Sequence, residues 1–168
     1  MGIIVADASP LIGLARAGRL ELLQRLYGSV WIPPAVRDEL QIGSQRPGAS
    51  RLESALTSGW LKVHGLPGST DTTLTQLAPI VDAGEAEAIV LAEHIDCRFL
   101  LIDDRQGRSI AKRRGVPVVG VAGILLAAKY HGLIDAVLPV IRELGQEGYR
   151  LSSRLMREIA RLADETME

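Results

Sequence analysis

"DAGEAEAIVLAEHIDCRFLLIDDR", from Asp82 to Arg105, carries two patterns back to back. The segment from about Ala83 to His94 is too long and too apolar for a strand and reads as a helix, with Glu85 and Glu87 in its first turns. "RFLLI" (Arg98 to Ile102) is short, apolar and bounded by charge, which reads as a buried strand ending in Asp103 and Asp104. A helix that returns into a buried strand is a unit of an α/β fold.

The unit recurs on either side. "IIVA" (Ile3 to Ala6) reads as a buried strand ending at Asp7, followed by a helix with Ser9 at its N-cap and Pro10 at its first position. Leu20 to Gly28 reads as a second amphipathic helix, and "VWI" (Val30 to Ile32) as a second strand. Pro33 and Pro34 open a helix carrying Val36, Glu39 and Leu40. Gln41 to Ser50 is a polar loop, "RLESALTSG" a helix, and "WLKVHGL" (Trp60 to Leu66) an edge strand. "PGSTDTT" reads as a loop, Arg105 to Arg114 as a helix and "VPVVGV" as a strand. Helices are expected over Ile124–Tyr130, Ile134–Leu144 and Leu151–Ala163. The expected fold is a three-layer α/β/α sandwich with a mostly parallel central sheet. It is expected to be one domain over residues 1–168, with a core of about 3–121 and a helical C-terminal extension of about 123–165.

Composition removes several functions. Nearly half the residues are hydrophobic, which argues against disorder. The net charge of −1 leaves no global basic field, so any nucleic acid must be held by local patches. One cysteine, Cys97, excludes an internal disulfide and a multi-cysteine zinc site, and its neighbours predict a buried thiol. The first residues lack the basic start of a signal peptide, and no apolar run reaches the ~20 residues of a membrane span, so a cytoplasmic protein is expected. Aromatic residues are too few for a base-stacking platform. There is no serine-nucleophile elbow and no phosphate-binding glycine loop.

In an open α/β sheet, chemistry gathers at the carboxyl ends of the strands. Asp7 and the pair Asp103–Asp104 follow strands directly. Glu39 lies one turn into the helix after the second strand. Glu85 and Glu87 head a helix whose antiparallel return brings them to the same rim. Crowded carboxylates repel, and burial raises their pKa. A divalent ion relieves both effects, and oxygen donors suit Mg²⁺ or Mn²⁺. Such a site points to phosphoryl chemistry. Each acid also has a structural reading: first-turn glutamates suit the helix dipole, and aspartates end strands and form turns. Beside the acids, Arg105, Arg108 and Lys112 share a helix face able to grip phosphates. Arg150, Arg154, Arg157 and Arg161 form a second basic stripe, with Leu151, Leu155, Ile159 and Leu162 on another side. That helix can dock a partner protein or a second subunit.

Four elements together resemble the PIN-domain family. "VADASPLIGLA" is similar to its opening, an Asp followed by a small Ser or Thr, here Asp7 and Ser9. "IPPAVRDEL" is similar to its second element, with Glu39 as the acid. "EAIVLA" resembles the third, placing the acid at Glu87, and "FLLIDDR" the fourth, placing it at Asp104. "GEAEA" is also similar to the paired glutamates of flap endonucleases, which puts Glu85 beside Glu87, and Asp103 beside Asp104, as metal ligands. The family's usual third acid is an Asp, and here a Glu stands in its place. The wording also resembles a PIN-like subfamily described as predicted nucleic-acid-binding proteins.

The resemblance implies a metal-dependent ribonuclease of the VapC-like toxin kind. Asp7, Glu39, Glu87 and Asp104 would be catalytic. Asp7, Glu85, Glu87, Asp103 and Asp104 would hold Mg²⁺ or Mn²⁺, and Ser9, Arg105, Arg108 and Lys112 would hold nucleic acid. The implied partners are an RNA substrate, an antitoxin protein and a second copy in a homodimer. One alternative is a catalytically silent PIN-like module that binds nucleic acid or protein. Another is a phosphate-accepting receiver domain, but its acid pair belongs after the first strand.

Overall fold

The structure is a computed structural model that describes residues 2–167. The expected span of 1–168 therefore includes two residues, Met1 and Glu168, outside the described ones. Chain order is β1 (Ile4–Ala6), α1 (Ala8–Arg16), α2 (Glu21–Tyr27), β2 (Val30–Ile32), α3 (Pro34–Leu40), α4 (Ala49–Ser58) and β3 (Leu61–Val63). Then come α5 (Asp71–Leu77), α6 (Ala83–His94), β4 (Phe99–Leu101), α7 (Arg105–Arg113), β5 (Val118–Val119), α8 (Val121–Tyr130), α9 (Leu138–Gln146) and α10 (Ser153–Ala163).

The strands form one sheet in the order β3-β2-β1-β4-β5, and every pairing is parallel. The mostly parallel sheet expected from the sequence is wholly parallel. Helices cover it on both sides in the α/β/α arrangement, so the central strands are apolar at every position. All three residues of β1 are fully buried. The chain adds β2 and β3 on one side of β1, then crosses back to add β4 and β5 on the other. The crevice above the carboxyl ends of β1 and β4 is thus the point where strand order reverses. The amide of Asp7 donates to Leu101 O at 2.9 Å and ties the two strand ends together there. No helix among the described residues is long and apolar enough to cross a membrane.

Several local expectations change. The first helix begins at Ala8, so Asp7 occupies its N-cap position and Ser9 lies inside the first turn, exposed. Asp7 makes no side-chain cap. "PGSTDTT" is a 3-10 turn (Gly68–Thr70) running into α5, because Asp71 in the first turn suits the helix dipole. The strand expected over 116–121 shortens to Val118–Val119, since Val121 already opens α8. The helix expected from Ile134 starts at Leu138, with its proline in the first turn. On α10, Ile159 is buried, whereas Leu155 and Leu162 face outward.

One loop glycine bears on stability. Gly48 has φ +85°, and a Cβ there would lie 2.9 Å from Arg16 N and 3.0 Å from Ala15 C. Neither backbone atom can swing aside. Gly48→Ala is expected to cost about 1–3 kcal/mol, from left-handed strain plus overpacking. Urea denaturation of the variant checks this, and a loss below a few tenths would contradict it.

Candidate active site

Asp7 is the one buried charged residue among those described. Its Oδ1 is buried with no hydrogen-bond partner. Burial pushes its carboxyl up to about 7, opposed by the Ala8 amide and reinforced by Glu85, Asp82 and Glu39. Glu85 is likewise pushed up to about 7, first by burial, then by Asp82, Asp104 and Glu39. Glu39 is raised by burial, with Asp82 and Glu87 adding to it and the Gly84 amide opposing. Six carboxylates from four segments therefore feel one another at the rim: Asp7, Glu39, Asp82, Glu85, Glu87 and Asp104. None takes part in any ion pair found among the described residues.

Local chemistry explains how α6 reaches this place. Asp82 caps the helix by accepting from Glu85 N at 2.8 Å, and Glu85 Oε2 accepts from Asp82 N at 3.3 Å. This reciprocal cap satisfies two amides that the helix end leaves free. Gly84 lets α3 and α6 approach closely, because a Cβ there would collide with Glu39 Oε1 and lie 2.8 Å from its Cδ. Asp82 is the acid that the sequence reading passed over. Its signal was the Asp-x-x-Glu spacing of a capping box at the head of α6.

Two expected ligands each commit one oxygen to a backbone amide. Glu87 Oε1 accepts from Ala35 N at 3.1 Å and so caps the start of α3, tying α6 to the helix that carries Glu39. Asp103 Oδ1 accepts from Val121 N at 3.1 Å. Its Oδ2 and the Tyr149 hydroxyl are both buried without a hydrogen bond of good geometry, yet each shifts the other's titration. Burial raises Asp103, while Tyr149, the Val121 amide and Arg108 pull it down. Asp104, next in sequence, caps α7 by accepting from Gly107 N at 2.8 Å and faces Glu85.

The expected phosphate-gripping residues do come together. Arg105, Arg108 and Lys112 line one open pocket of about 410 Å³ with Asp103 and Ser109. Ser9 lies in a separate groove of about 170 Å³ beside Arg16 and Tyr149. Cys97 is buried, and burial holds its thiol up at about 11, as its sequence context predicts. His64 stacks on Trp31 with ring centroids 4.4 Å apart, and His94 lies in a groove lined by Glu93 and Arg114, so neither joins the acids.

As the side chains stand, no three His, Cys, Asp or Glu groups among the described residues converge closely enough to hold a metal ion. The donor set still fits a divalent cation. It is all oxygen, burial reinforced by the neighbouring carboxylates raises two of its acids to about 7, and it includes an unpartnered buried oxygen on Asp7.

The family model DUF3368, described as a PIN domain, matches residues 3–165. No curated protein matches the chain. Among solved structures, a PilT N-terminus domain protein from the hyperthermophilic archaeon Sulfolobus solfataricus P2 is similar, with a TM-score of 0.50 and 18% identity. The match covers 75% of this chain and 92% of that one, and at this identity it is a likeness of fold. A match over nearly the whole length, on a parallel sheet with acids at its reversal point, makes the chain a member of the PIN-domain family, whose domains are generally nucleases that use divalent metals.

Proposed function

We propose that the protein is a divalent-metal-dependent endoribonuclease that hydrolyses RNA phosphodiester bonds above β1 and β4. The observation that carries this reading is the gathering of Asp7, Glu39, Asp82, Glu85 and Asp104 without a paired cation. Asp7, Glu85 and Asp104 would hold Mg²⁺ or Mn²⁺, which when bound supplies a hydroxide nucleophile and neutralises charge developing on the phosphate. Glu39 adds a further carboxylate beside Gly84, where it can orient a water or accept its proton. Asp82 holds Glu85 in place through the cap. Glu87 keeps α3 and α6 in register and Asp103 supports the β4–α7 turn, so neither needs to touch the ion.

Arg105, Arg108 and Lys112 bind phosphates of the same strand, next to the acids at the α7 end. Arg105→Glu combined with Arg108→Glu is expected to weaken RNA binding at least tenfold at low salt. It should also reduce the salt slope by about 2. Anisotropy titrations over a salt series measure both, and an unchanged slope would remove these arginines from the interface.

The same reading includes a toxin role in the cytoplasm, with an antitoxin and a homodimer as partners. Exposed Leu155, Leu162 and Tyr130 on the C-terminal helices support a protein partner there. The deciding experiment is cleavage of a pool of structured and single-stranded RNA with Mn²⁺, Mg²⁺ or EDTA, beside Asp7→Asn. Cutting that needs metal and is lost in the variant supports a nuclease. Folded protein that cuts under no condition favours the silent binding module. The open spacing of the acids is the observation on that module's side.

A further inference from the structure

A second basic surface begins on α1, apart from the α7 pocket. Ser9, Ile12, Gly13 and Arg16 recur at helical spacing, so one face of α1 lines the groove of about 170 Å³. Ser9 stands two residues past Asp7, in the first turn of the helix that Asp7 begins, so the groove opens beside the acids. Tyr149 forms its other wall, where a Cβ added to Gly13 would lie 3.0 Å from Tyr149 Cδ2. Tyr149 also lines a second pocket, of about 500 Å³, which carries Arg142 and Arg150. Arg16, Arg142 and Arg150 enter none of the ion pairs found among the described residues. Arg16 Nη1 donates to Glu147 O across a long 3.4 Å, and its Nε is buried without a partner. Glu147 is the one acid lining either pocket, against three arginines.

We propose that Arg16, Arg142 and Arg150 form a second phosphate-binding track, which carries single-stranded RNA away from the acids along α1 and the C-terminal helices. This rests on the reading that the rim acts on RNA. The crossovers from β1 to β2 and from β4 to β5 run in opposite directions along the sheet, so one right-handed sense puts α1 and α7 on opposite faces. The C-terminal helices lie on the α1 side, with α9 packed against α1. The acids therefore sit between two sets of cations, the α7 pocket and this track. A strand crossing the rim needs both, because the acids repel the phosphates on either side of the bond they face. An unpaired guanidinium takes a phosphate in charge-assisted hydrogen bonds without first giving up an acid partner. Ile141, Leu151 and Met156 add apolar surface beside the two outer arginines, whose planes suit an unstacked base.

The test is the affinity for a fluorescent single-stranded RNA of about 12 nucleotides, measured by anisotropy over a salt series in EDTA, where cleavage does not enter. Arg16→Met removes the charge and keeps an apolar stem in the groove, and a thermal unfolding curve checks its fold. Arg142→Gln combined with Arg150→Gln changes exposed side chains alone. Each variant is expected to weaken binding about fivefold at low salt. The salt slope should fall by about 0.7 for Arg16→Met and about 1.4 for the pair, the single-strand value per phosphate contact. Arg25→Gln combined with Lys62→Gln removes two exposed, unpaired charges elsewhere and should keep the parent's slope. An equal loss in that control would overturn the inference, because net charge alone would explain it. Unchanged affinity and slope in both track variants, beside a weakened Arg105→Glu with Arg108→Glu, would also overturn it. That result would leave these arginines to an acidic protein partner and the α7 pocket reading intact. A parent that binds no RNA would remove the nucleic-acid reading, and this inference with it.

Discussion

Without a divalent cation, the protein is expected to lose stability as pH rises from about 4 to about 7. The sign follows from Asp7. Its folded carboxyl titrates at about 7, against an ordinary value of 3.8. Between those values the unfolded chain has released the proton and the folded chain has kept it. Raising the pH there favours unfolding, and the stabilising contribution is complete below pH 3.8 and lost above 7. Asp7 alone accounts for roughly 4 kcal/mol at most across that window. Glu85 titrates in the same direction, up to about 7, and steepens the fall. Urea denaturation in EDTA at pH 4.5, 6 and 7.5 measures it. Asp7→Asn should flatten the profile and leave the variant more stable than the parent at pH 7.5. Mn²⁺ should raise the midpoint at pH 7.5 and barely at pH 4.5. A flat parent profile would mean that the rim is open to water and that the acids do not confront one another.

The second large effect separates two glutamates two positions apart. Glu85→Gln is expected to lower metal-dependent cleavage about 10²-fold or more, the scale for losing a group that stabilises developing charge. The fold should survive, because Gln can still accept from the Asp82 amide that Glu85 now caps. Glu87→Ala is expected to do the reverse. It removes the cap on Ala35 N, at a cost of about 1 kcal/mol, and leaves cleavage within about tenfold of the parent. Rates with saturating Mn²⁺, set beside unfolding curves, distinguish the two. The opposite ranking would return Glu87 to the metal and make Glu85 a helix cap only.

The architecture was legible because it is written in period and punctuation. "VWI" is a strand with the expected bounds, and α6 runs from Ala83 to His94 as its unbroken apolar body predicts. Which carboxylates share the rim was legible to the level of the segment and no further. Spacing places Glu85 and Glu87 on one helix, but only packing shows that α3 begins where Glu87 can cap it. Asp103 and Asp104 are adjacent letters, and their separation arises because one caps α7 and the other meets the start of α8. Tyr149 had no local signal at all. Gly13, on which its ring packs, lies in a distant segment, and a lone tyrosine after a glycine reads as loop. The same is true of Leu155 and Leu162, whose helical spacing matches that of Ile159 but whose side of α10 nothing in the structure covers.

The parallel pairing of β1 with β4 governs when the site comes into existence. Asp7 leaves the ribosome ahead of its partners at the rim, and the strand end that receives its amide, at Leu101, follows roughly ninety residues later. At synthesis rates of about 5–20 residues per second, that is a wait of several seconds or more. During it, β1 and β2 can pair, but the rim holds one aspartate and no partners from α6 or α7. The set of rim acids is therefore complete only late, when β4 slots in beside β1 and brings Asp104. Anything that captured the chain before that closure would meet a protein with its hydrophobic centre still exposed and its chemistry not yet assembled.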